Sequence, residues 1–527
     1  MHTMFEASRV VVVGAGIGGL TAAVELARRG VDVTVIERAA HVGGKMRQVP
    51  IQGRAIDSGP TVLTLRNVFD EVFQAAGEKL NEHLTLDRMD LLARHAWTDG
   101  SVLDLYSDID RSADAIGKFA GSREAYGYRR FCQYARTIHE MVEGPFLMGE
   151  KPNMLSVVKA FSTIGVGALM KMDGVRTLWA SLGDFFQDPR LLQLFGRYAT
   201  YCGSSPFAAP ATLNVIAHVE REGVWTVRGG MAQLAIALSK LAIKMGATIK
   251  TNTHVSEVLV HQGRASGIKL ATGEVIHAGA VVLNADSGAL PAGLFGKSVK
   301  RAVKTPGPRS LSAITWSCLA TTKGLPLVRH NVCFSNNYPL EFKELFDKRT
   351  PPSSPTVYIC AQDRNDSGFA PETSLHRNEN GAQADSSSER LLLLINAPAK
   401  GDEHTFSTSE IRQCEAAMKE VLMRCGLSIT PTAEPVVTTP TDFARMFPAT
   451  GGALYGAVSH GMTSPFSRPA ARSEMPGLYL TGGSVHPGAG VPMVAQSGRL
   501  AAQALFQDLV SISRSRVGVM AGGMSMR

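Results

Sequence analysis

The stretch that decides the fold is Arg9-Val-Val-Val-Val13 followed by Gly14-Ala-Gly16-Ile-Gly18-Gly19. The first five residues are β-branched and apolar apart from Arg9, which is typical of a strand buried in a parallel sheet. Apolar residues at helical spacing predict a helix over Leu20–Arg29, with Gly30 as its C-cap. Val31–Glu37 is predicted to be the next strand. The chain therefore opens with a βαβ unit around a glycine loop.

The glycine loop has the Gly-x-Gly-x-x-Gly spacing of dinucleotide-binding folds. Gly14 permits the tight turn, Gly16 lets the backbone approach a pyrophosphate, and Gly19 lets helix and strand pack closely. The helix N terminus offers free amide groups to phosphates. Glu37, at the end of the second strand, can accept hydrogen bonds from the ribose hydroxyls of an adenosine. The pattern favours dinucleotide binding over a purely structural glycine turn.

Three further features favour FAD over NAD. Gly43-Gly44-Lys45 lets the chain pass close to the phosphates and the ribityl group. Asp57-Ser58-Gly59-Pro60-Thr61 is predicted to form a turn beside the isoalloxazine ring. Asp57 is either an Asx-turn residue or a residue on the cofactor side, and the sequence leaves both open.

The third feature lies near the C terminus. Leu478–Thr481 is predicted to be a strand, and Gly482-Gly483-Ser484 a second glycine loop that permits close approach to a ribityl phosphate. A helix is predicted to begin near Val491-Pro492-Met493, where its amides would stabilise the reduced flavin. His486 is either a loop histidine held by hydrogen bonds or an acid–base group.

Composition excludes several other classes of protein. The chain has 527 residues, of which 44% are hydrophobic and 19% are charged, so it can bury the cores of two or three domains. The net charge of +8 comes without a basic block or a nucleic-acid-binding motif, so no nucleic-acid partner is predicted. Seven scattered cysteines predict neither a disulfide framework nor a metal site. Neither a signal peptide nor a transmembrane helix is predicted.

The motifs together resemble the bacterial-type phytoene desaturase family of carotenoid biosynthesis. The residues that carry the resemblance are the Gly14–Gly19 loop, Glu37, Gly43-Gly44, Asp57–Pro60 and, above all, Gly482–Gly490. The last stretch is similar to the family's His-Pro-Gly-x-Gly core, although Val485 departs from the small or hydroxylated residue expected there.

Within this family, three segments resemble the hydroxyneurosporene and methoxyneurosporene desaturases. They are Tyr201–Pro206, Ala211-Thr212 and Gly223–Gly230. This subgroup introduces the C-3,4 double bond into acyclic 1-hydroxy or 1-methoxy carotenoids. Neighbouring subgroups are phytoene desaturases and carotenoid isomerases, which remain alternatives.

The resemblance implies an α/β chain of the amine-oxidase-like flavoprotein kind, with a Rossmann-type FAD-binding domain, a β-sheet substrate domain and a helical membrane-contacting region. The expected boundaries are 1–75, 225–305 and 470–512 for the FAD domain, 76–224 for the helical region, and 306–469 for the substrate domain. The expected FAD-binding residues are Gly14, Gly16, Gly18, Gly19, Glu37, Arg38, Gly43, Gly44, Lys45, Gly59, Pro60, Thr61, Val255, Gly482, Gly483, Ser484, Val491, Pro492 and Met493.

Three segments outside these motifs also carry predictions. Val157, Phe161, Ile164 and Ala168 share one helical face, which is either core or an interfacial surface that contacts lipid. The polar stretch 363–390 is predicted to be a flexible insertion, and 513–527 a disordered tail.

The expected activity is transfer of a hydride from the carotenoid to the flavin, with later reoxidation by oxygen or a quinone. No catalytic base is identified, since an adjacent polyene spreads developing positive charge. The expected partners are a hydrophobic acyclic carotenoid and, peripherally, the cytoplasmic side of the inner membrane. A buried polar residue is expected to recognise the C-1 hydroxyl. The rivals from other classes are a prenyl-lipid carrier, disfavoured by the intact glycine motifs, and an amine oxidase, disfavoured because no aromatic pair lies near Val485–Val491.

Overall fold

The computed structural model describes residues 9–151, 173–365, 368–369 and 388–521. The predicted interfacial face of Val157, Phe161, Ile164 and Ala168 lies outside the described residues. The strands, in chain order, are β1 (Arg9–Val13), β2 (Asp32–Ile36), β3 (Gln48–Ile51), β4 (Arg54–Asp57), β5 (Leu86–Arg88), β6 (Leu91–Ala96), β7 (Val102–Tyr106), β8 (Trp225–Val227), β9 (Thr248–Lys250), β10 (Val255–His261), β11 (Arg264–Leu270), β12 (Val275–His277), β13 (Ala280–Leu283), β14 (Ser312–Gly324), β15 (His330–Cys333), β16 (Val357–Ala361), β17 (Arg364–Asn365), β18 (Gly368–Phe369), β19 (Glu389–Ala397), β20 (Leu427–Pro431), β21 (Val436–Thr438) and β22 (Leu478–Leu480).

Helices connect and cover these strands. The α-helices are α1 (Ile17–Ala27), α2 (Arg66–Ala75), α3 (Leu80–His83), α4 (Ile109–Ala120), α5 (Ser122–Val142), α6 (Leu178–Leu182), α7 (Pro189–Gly196), α8 (Val215–Glu222), α9 (Ala232–Lys244), α10 (Tyr338–Lys343), α11 (Thr408–Arg424), α12 (Pro440–Met446), α13 (Ser464–Ser467) and α14 (Val491–Ala521). Short π-helical or 3₁₀ segments are Glu143–Met148, Arg197–Cys202, Ala211–Asn214, Ser287–Ala289 and Glu344–Lys348.

A five-stranded parallel sheet in the order β22-β13-β1-β2-β9 carries the glycine loop. Strand β1 lies at its centre, with Val10 opposite Ala280 on one side and Val33 on the other. The sheet packs against the helices α1, α9 and α14, and together they bury one apolar core. Burial of this kind is typical of parallel sheets, whose faces are covered by helices. The predicted βαβ opening and the closing strand and helix are confirmed.

Helices α1 and α14 approach closely where glycine removes the side chain. A Cβ at Gly498 would overlap the carbonyl oxygen of Gly18 and would lie 3.0 Å from Thr21 Cβ. The C-terminal helix is therefore locked against the first helix, and both begin at the same end of the parallel sheet.

The substrate domain is built on a mixed sheet with the main order β20-β14-β19-β16-β15-β6-β7, and β21 also pairs with β14. Strand β14 is antiparallel to β19, with Trp316 opposite Leu393. Helix α11 covers one face and contributes Met418 and Leu422 to its core. A three-stranded sheet, β10-β11-β12, contains a turn at Gly273, whose φ is +92°, between β11 and β12.

The prediction of a mainly helical range over 76–224 needs a correction. Strands β5, β6 and β7 fall inside it, and β6 and β7 form one edge of the substrate-domain sheet through the parallel pairing of β6 with β15. Strand β6 is Leu91-Leu-Ala-Arg-His-Ala96 and is buried on both sides, so its sequence has none of the alternation that identifies a half-exposed strand.

The remaining helices of that range enclose an aromatic core. Phe131 lies 4.9 Å from Phe195 between ring centroids, and Phe186 stacks on Phe195 at 4.7 Å. Tyr338 of α10 joins this region from the substrate domain, with its ring centroid 6.3 Å from that of Phe334. Helix α10 lies in the chain between β15 and β16.

The predicted flexible insertion is wrong at both ends. Asp363 is buried, and its carboxylate receives Arg54 at 2.6 Å and Arg390 at 2.7 Å. Strand β19 already begins at Glu389. At the described ends of this stretch, Asp363 and Arg390 thus form an ion pair inside the protein.

The predicted disordered tail is also corrected, because α14 continues to Ala521. In the part of the chain that the structure describes, no helix is long and apolar enough to cross a membrane.

Candidate functional site

A cavity of about 1280 Å³ runs between the parallel sheet, the substrate-domain sheet and the helical region. At one end it is lined by both glycine loops, which lie at the carboxyl ends of β1 and β22. This is the edge of an open α/β sheet at which ligands bind. At the other end it is lined by side chains of the substrate-domain sheet and of the helices.

The first glycine loop is shaped by contacts that leave no room for side chains. Gly14 has a φ of +101°, and a Cβ there would lie 2.7 Å from the carbonyl oxygen of Asn284. A Cβ at Gly18 would lie 2.6 Å from Thr481 Oγ1, and one at Gly19 would overlap the carbonyl oxygen of Gly14. Gly14 and Gly16 line the cavity, whereas Gly18 and Gly19 lie behind them and allow α1 to pack closely.

Glu37 holds the loop in place. Its carboxylate accepts a hydrogen bond from the Ala15 amide at 2.7 Å and another from the Ala39 amide at 2.7 Å. Each carboxylate oxygen keeps further acceptor capacity, and the side chain lines the cavity. Val255 and Arg38 line the same part, and the Arg38 guanidinium donates to the carbonyl of Met446.

Gly43 and Gly44, the glycine pair after β2, pack against the first glycine loop. Gly43 donates to the carbonyl of Ala15 at 2.8 Å, and a Cβ at Gly44 would lie 3.4 Å from the Cα of Gly16. Lys45 is half-buried beside the pair and donates from Nζ to the carbonyl of Leu454 at 2.7 Å. Burial lowers the pKa of Lys45, and Asp286 opposes that decrease.

The turn after β4 contains residues that line the cavity and, just before them, one that holds a neighbouring helix. Gly59, Pro60 and Thr61 line the cavity. Asp57 does not line it: its carboxylate accepts the Met231 amide at 2.8 Å at the start of α9, and the amide of Gln48 at 3.0 Å. Burial raises the pKa of Asp57, and the Met231 hydrogen bond opposes that rise. Asp57 thus fixes the start of α9, which is neither of the two roles that the sequence left open.

The second glycine loop is held by an arginine. Arg468 is buried and donates to the carbonyl of Gly483 at 2.6 Å and to that of Tyr455 at 3.1 Å. Ser484 accepts the amide of Ser287 at 2.8 Å. Helix α14 begins at Val491, as predicted, with Pro492 in its first turn, so its free N-terminal amides face the cavity.

His486 is held by hydrogen bonds and also lines the cavity. Its Nε2 lies 3.1 Å from the carbonyl oxygen of Gly149, and its backbone amide donates to Pro469. Burial lowers the pKa of His486, so the ring is neutral near pH 7. These contacts support the reading of a loop histidine held by hydrogen bonds.

Of the predicted cofactor residues, all but two line the cavity. Those that line it are Gly14, Gly16, Glu37, Arg38, Gly43, Gly44, Lys45, Gly59, Pro60, Thr61, Val255, Gly482, Gly483, Ser484, Val491, Pro492 and Met493. Their contacts with FAD remain predictions.

Sequence reasoning missed two residues that organise the site. Asn284 follows β13 and donates from Nδ2 to the carbonyl of Gly14 at 3.3 Å. Its signal was its position, since it ends a buried strand on the sheet edge that carries the glycine loop. Arg468 had no such signal, because nothing near it in sequence shows which backbone carbonyls it reaches.

The residues present fit a flavin dinucleotide. The loop around Gly16 and Gly44 presents backbone without side chains, Glu37 offers acceptors, and α14 offers free amides. When FAD is bound, Glu37 would hold its adenosine ribose, the first glycine loop its pyrophosphate, and the second glycine loop its ribityl end.

The other half of the cavity is mainly apolar. Leu213, Ile216, Val332, Leu392 and Leu394 line it, which suits an extended hydrocarbon. A few buried polar side chains interrupt this lining, among them Arg197 of the segment Arg197–Cys202, Glu220 of α8 and Tyr338 of α10.

Comparison with known proteins agrees with this geometry. The model of the family "Flavin containing amine oxidoreductase" matches residues 17–506. Hydroxyneurosporene desaturase of Rubrivivax gelatinosus is 50% identical over 98% of this chain and 97% of its own. The enzyme of the same name from Cereibacter sphaeroides is 41% identical over 96% of this chain and 99% of its own.

Among solved structures, putrescine oxidase bound to putrescine is similar to this chain with a TM-score of 0.58 and 14% identity, over 95% of this chain and 99% of its own. This likeness shows the fold, while the near-complete match to the desaturases shows the family. The chain therefore belongs to the flavin-containing amine oxidoreductases and, within them, to the bacterial carotenoid desaturases, with FAD as its cofactor.

Proposed function

We propose that this enzyme introduces the C-3,4 double bond into acyclic carotenoids that carry a hydroxyl or methoxyl group at C-1, such as 1-hydroxyneurosporene. The observation that carries the proposal is the single cavity that joins the glycine loops to an apolar chamber. Two relatives that match nearly the whole chain carry the name hydroxyneurosporene desaturase.

The chain's own residues would perform three tasks in this reaction. Apolar side chains such as Leu392 and Leu394 would hold the polyene and exclude water. Gly59 and Pro60 would let the reacting end of the substrate approach the cofactor without steric hindrance. Bound FAD supplies the hydride acceptor. The hydride would leave from C-4, because the adjacent conjugated chain spreads the positive charge that develops there, and the neighbouring C-3 proton can then leave without a strong base.

We propose further that the substrate enters from the membrane surface at the cytoplasmic side of the inner membrane. Val175 and Met462 both line the cavity, and their exposed fractions are 75% and 56%. The cavity thus opens beside apolar side chains that water does not favour.

We propose that oxygen or a membrane quinone reoxidises the reduced flavin. Comparing the aerobic turnover rate with the anaerobic turnover rate in the presence of a quinone distinguishes the two electron acceptors.

The membrane proposal is tested by flotation with anionic liposomes. The double variant V175E/M462E is expected to float less than the wild type. Met423, which is 64% exposed on α11 and does not line the cavity, provides the matched control M423E. Equal flotation of all three proteins would refute the proposed entry surface.

The function is tested by product analysis. The FAD-loaded protein is incubated with liposomes that carry 1-hydroxyneurosporene, neurosporene or phytoene separately, and absorption spectra are read. A red-shifted product from 1-hydroxyneurosporene alone is the expected result. A red-shifted product from phytoene would assign phytoene desaturation instead. An unshifted geometric isomer would assign isomerisation.

A further inference from the structure

Two buried hydrogen-bond donors in the cavity wall have no acceptor among the described residues. They are Arg197 Nε and Tyr338 Oη, and both residues line the cavity. Arg197 is 7% exposed and Tyr338 is 4% exposed, so solvent does not satisfy these groups. Buried donors are almost always paired in folded proteins, which makes both atoms candidates for a ligand contact.

The backbone next to Arg197 contacts the ring of Tyr338. Gly196 precedes Arg197, and a Cβ at Gly196 would lie 3.5 Å from Cε1 of Tyr338, the ring atom next to the one that bears the hydroxyl. Burial raises the pKa of Tyr338 well above its usual value, and the nearby charge of Arg197 partly opposes this rise. The hydroxyl therefore keeps its proton at physiological pH and remains a donor.

Packing explains the ring of Tyr338 but not its hydroxyl. The ring lies 4.9 Å from Phe342 and 6.1 Å from Trp179 between centroids. A phenylalanine would make the same contacts without burying an unpaired hydroxyl, which disfavours folding. The hydroxyl therefore has a role that internal packing does not supply.

Arg197 is held in a fixed orientation. One terminal nitrogen donates to Tyr201 Oη at 2.7 Å, and that hydroxyl donates to Glu220 at 3.0 Å. Tyr198 donates to the other oxygen of Glu220 at 2.6 Å. The carboxylate balances the buried guanidinium charge, and Nε stays a buried donor without an acceptor among the described residues.

We propose that Arg197 Nε and Tyr338 Oη donate hydrogen bonds to the C-1 oxygen of the carotenoid and thereby select acyclic polyenes that carry a tertiary alcohol or its methyl ether. This inference rests on the proposed function. Both groups act as donors, so the oxygen of either a hydroxyl or an ether satisfies them. A substrate with a hydrocarbon at C-1 leaves both donors unpaired and is rejected.

The main test uses Tyr338→Phe, with kcat/KM measured for 1-hydroxyneurosporene and for neurosporene. Wild-type enzyme should prefer the hydroxylated substrate by roughly 100-fold or more. In Y338F that preference should fall about 10- to 100-fold, through loss of activity on the hydroxylated substrate alone. The thermal midpoint should stay the same or rise, because an unpaired buried hydroxyl is removed.

A second variant and a control guard against a purely structural effect. Arg197→Met should weaken the same preference, and the FAD content of each variant shows whether it folds. Tyr128→Phe is the matched control, because Tyr128 is a buried tyrosine of the neighbouring aromatic core that does not line the cavity. Y128F should leave the preference unchanged.

Three results would overturn the inference. If wild type converts 1-hydroxyneurosporene and both variants keep the full preference, the donor pair is not the recognition site, although the proposed function stands. If wild type does not convert any 1-hydroxy carotenoid, the proposed function fails and the inference fails with it. A fall in the thermal midpoint of Y338F with unchanged preference would show that the hydroxyl serves the fold.

Discussion

Glu37→Gln is the substitution that separates loop organisation from ribose binding. The Glu37 carboxylate accepts the Ala15 amide and the Ala39 amide, both at 2.7 Å. Glutamine has the same shape but only one acceptor oxygen, and its other terminal atom is a donor. One of the two backbone amides would then face another donor. The variant therefore loses one hydrogen bond to a charged group without changing the volume of the side chain.

The expected size of the effect follows from that single bond. A hydrogen bond to a charged group contributes about 1.5–3 kcal/mol, so the FAD-free protein should lose that much free energy of unfolding. The affinity for FAD should fall by about 10-fold or more, because the loop is less ordered and one ribose acceptor is gone. Affinity should fall further than loop destabilisation alone requires if Glu37 also contacts the ribose.

Two measurements on the same protein preparation make the test. Chemical denaturation of the FAD-free protein reports the free energy of unfolding, and titration with FAD, followed by flavin fluorescence, reports affinity. Asp32→Asn is the matched control. Asp32 lies at the opposite end of β2, is half-exposed and pairs with Arg9 at 3.0 Å, so its neutralisation should change neither quantity appreciably. If E37Q matches D32N in both measurements, the carboxylate does not organise the loop.

Three further substitutions have defined outcomes. Gly59→Ala should lower FAD content and destabilise the fold by about 1–3 kcal/mol, because its Cβ would overlap the carbonyl oxygen of Lys45. Burial raises the pKa of Glu341 to about 7. Its protonated form therefore stabilises the fold below pH 4.5, and that contribution is lost as pH rises through 7. Glu341→Gln should remove about 3 kcal/mol of the pH dependence of the unfolding free energy, measured by denaturation at pH 5 and 8. Asp363→Ala should cost about 3–5 kcal/mol of unfolding free energy, since it leaves two arginines without their buried partner.

A control variant or a contrary result tests each of these substitutions. Gly117→Ala, on α4, adds a Cβ 3.5 Å from that of Ala125 on α5 and should stabilise the protein slightly, so FAD loss in both glycine variants would contradict the overlap argument. Asp402→Asn removes a half-exposed partner of Arg309 and should cost far less than Asp363→Ala. Parallel pH profiles of wild type and Glu341→Gln would contradict the assigned protonation.

The parts of the fold that the sequence predicts are those whose causes are local. Gly14–Gly19 is flanked by its strand and helix, and Gly43-Gly44 follows within one connection, so spacing alone places them together. The second glycine loop was also predictable, because Pro492 and the preceding strand frame it. Composition marked 363–390 as polar, but polarity cannot show whether charges face water or one another, and Asp363 faces two arginines.

The parts that escaped prediction depend on contacts between distant segments. Strand β6 joins the substrate-domain sheet through β15, more than two hundred residues later. Arg468 reaches the carbonyl of Gly483 because an intervening turn brings the two together. Arg197 and Tyr338 come to line one cavity only in the folded protein, so a buried recognition group for C-1 was expected but its residues were not identifiable.

The order of strands in the parallel sheet has a consequence for biosynthesis. Strand β1 lies beside β13, which lies beside β22, so the nucleotide-binding edge is complete only after residue 480. At 5–20 residues per second, roughly half a minute to a minute and a half separates the ribosome's addition of the first glycine loop from that of the second. During this interval the nascent chain carries a glycine loop that cannot yet retain its cofactor. We expect a chain that ends before α14 to bind no flavin, so that flavin absorbance reports synthesis of the second glycine loop and the helix that follows it.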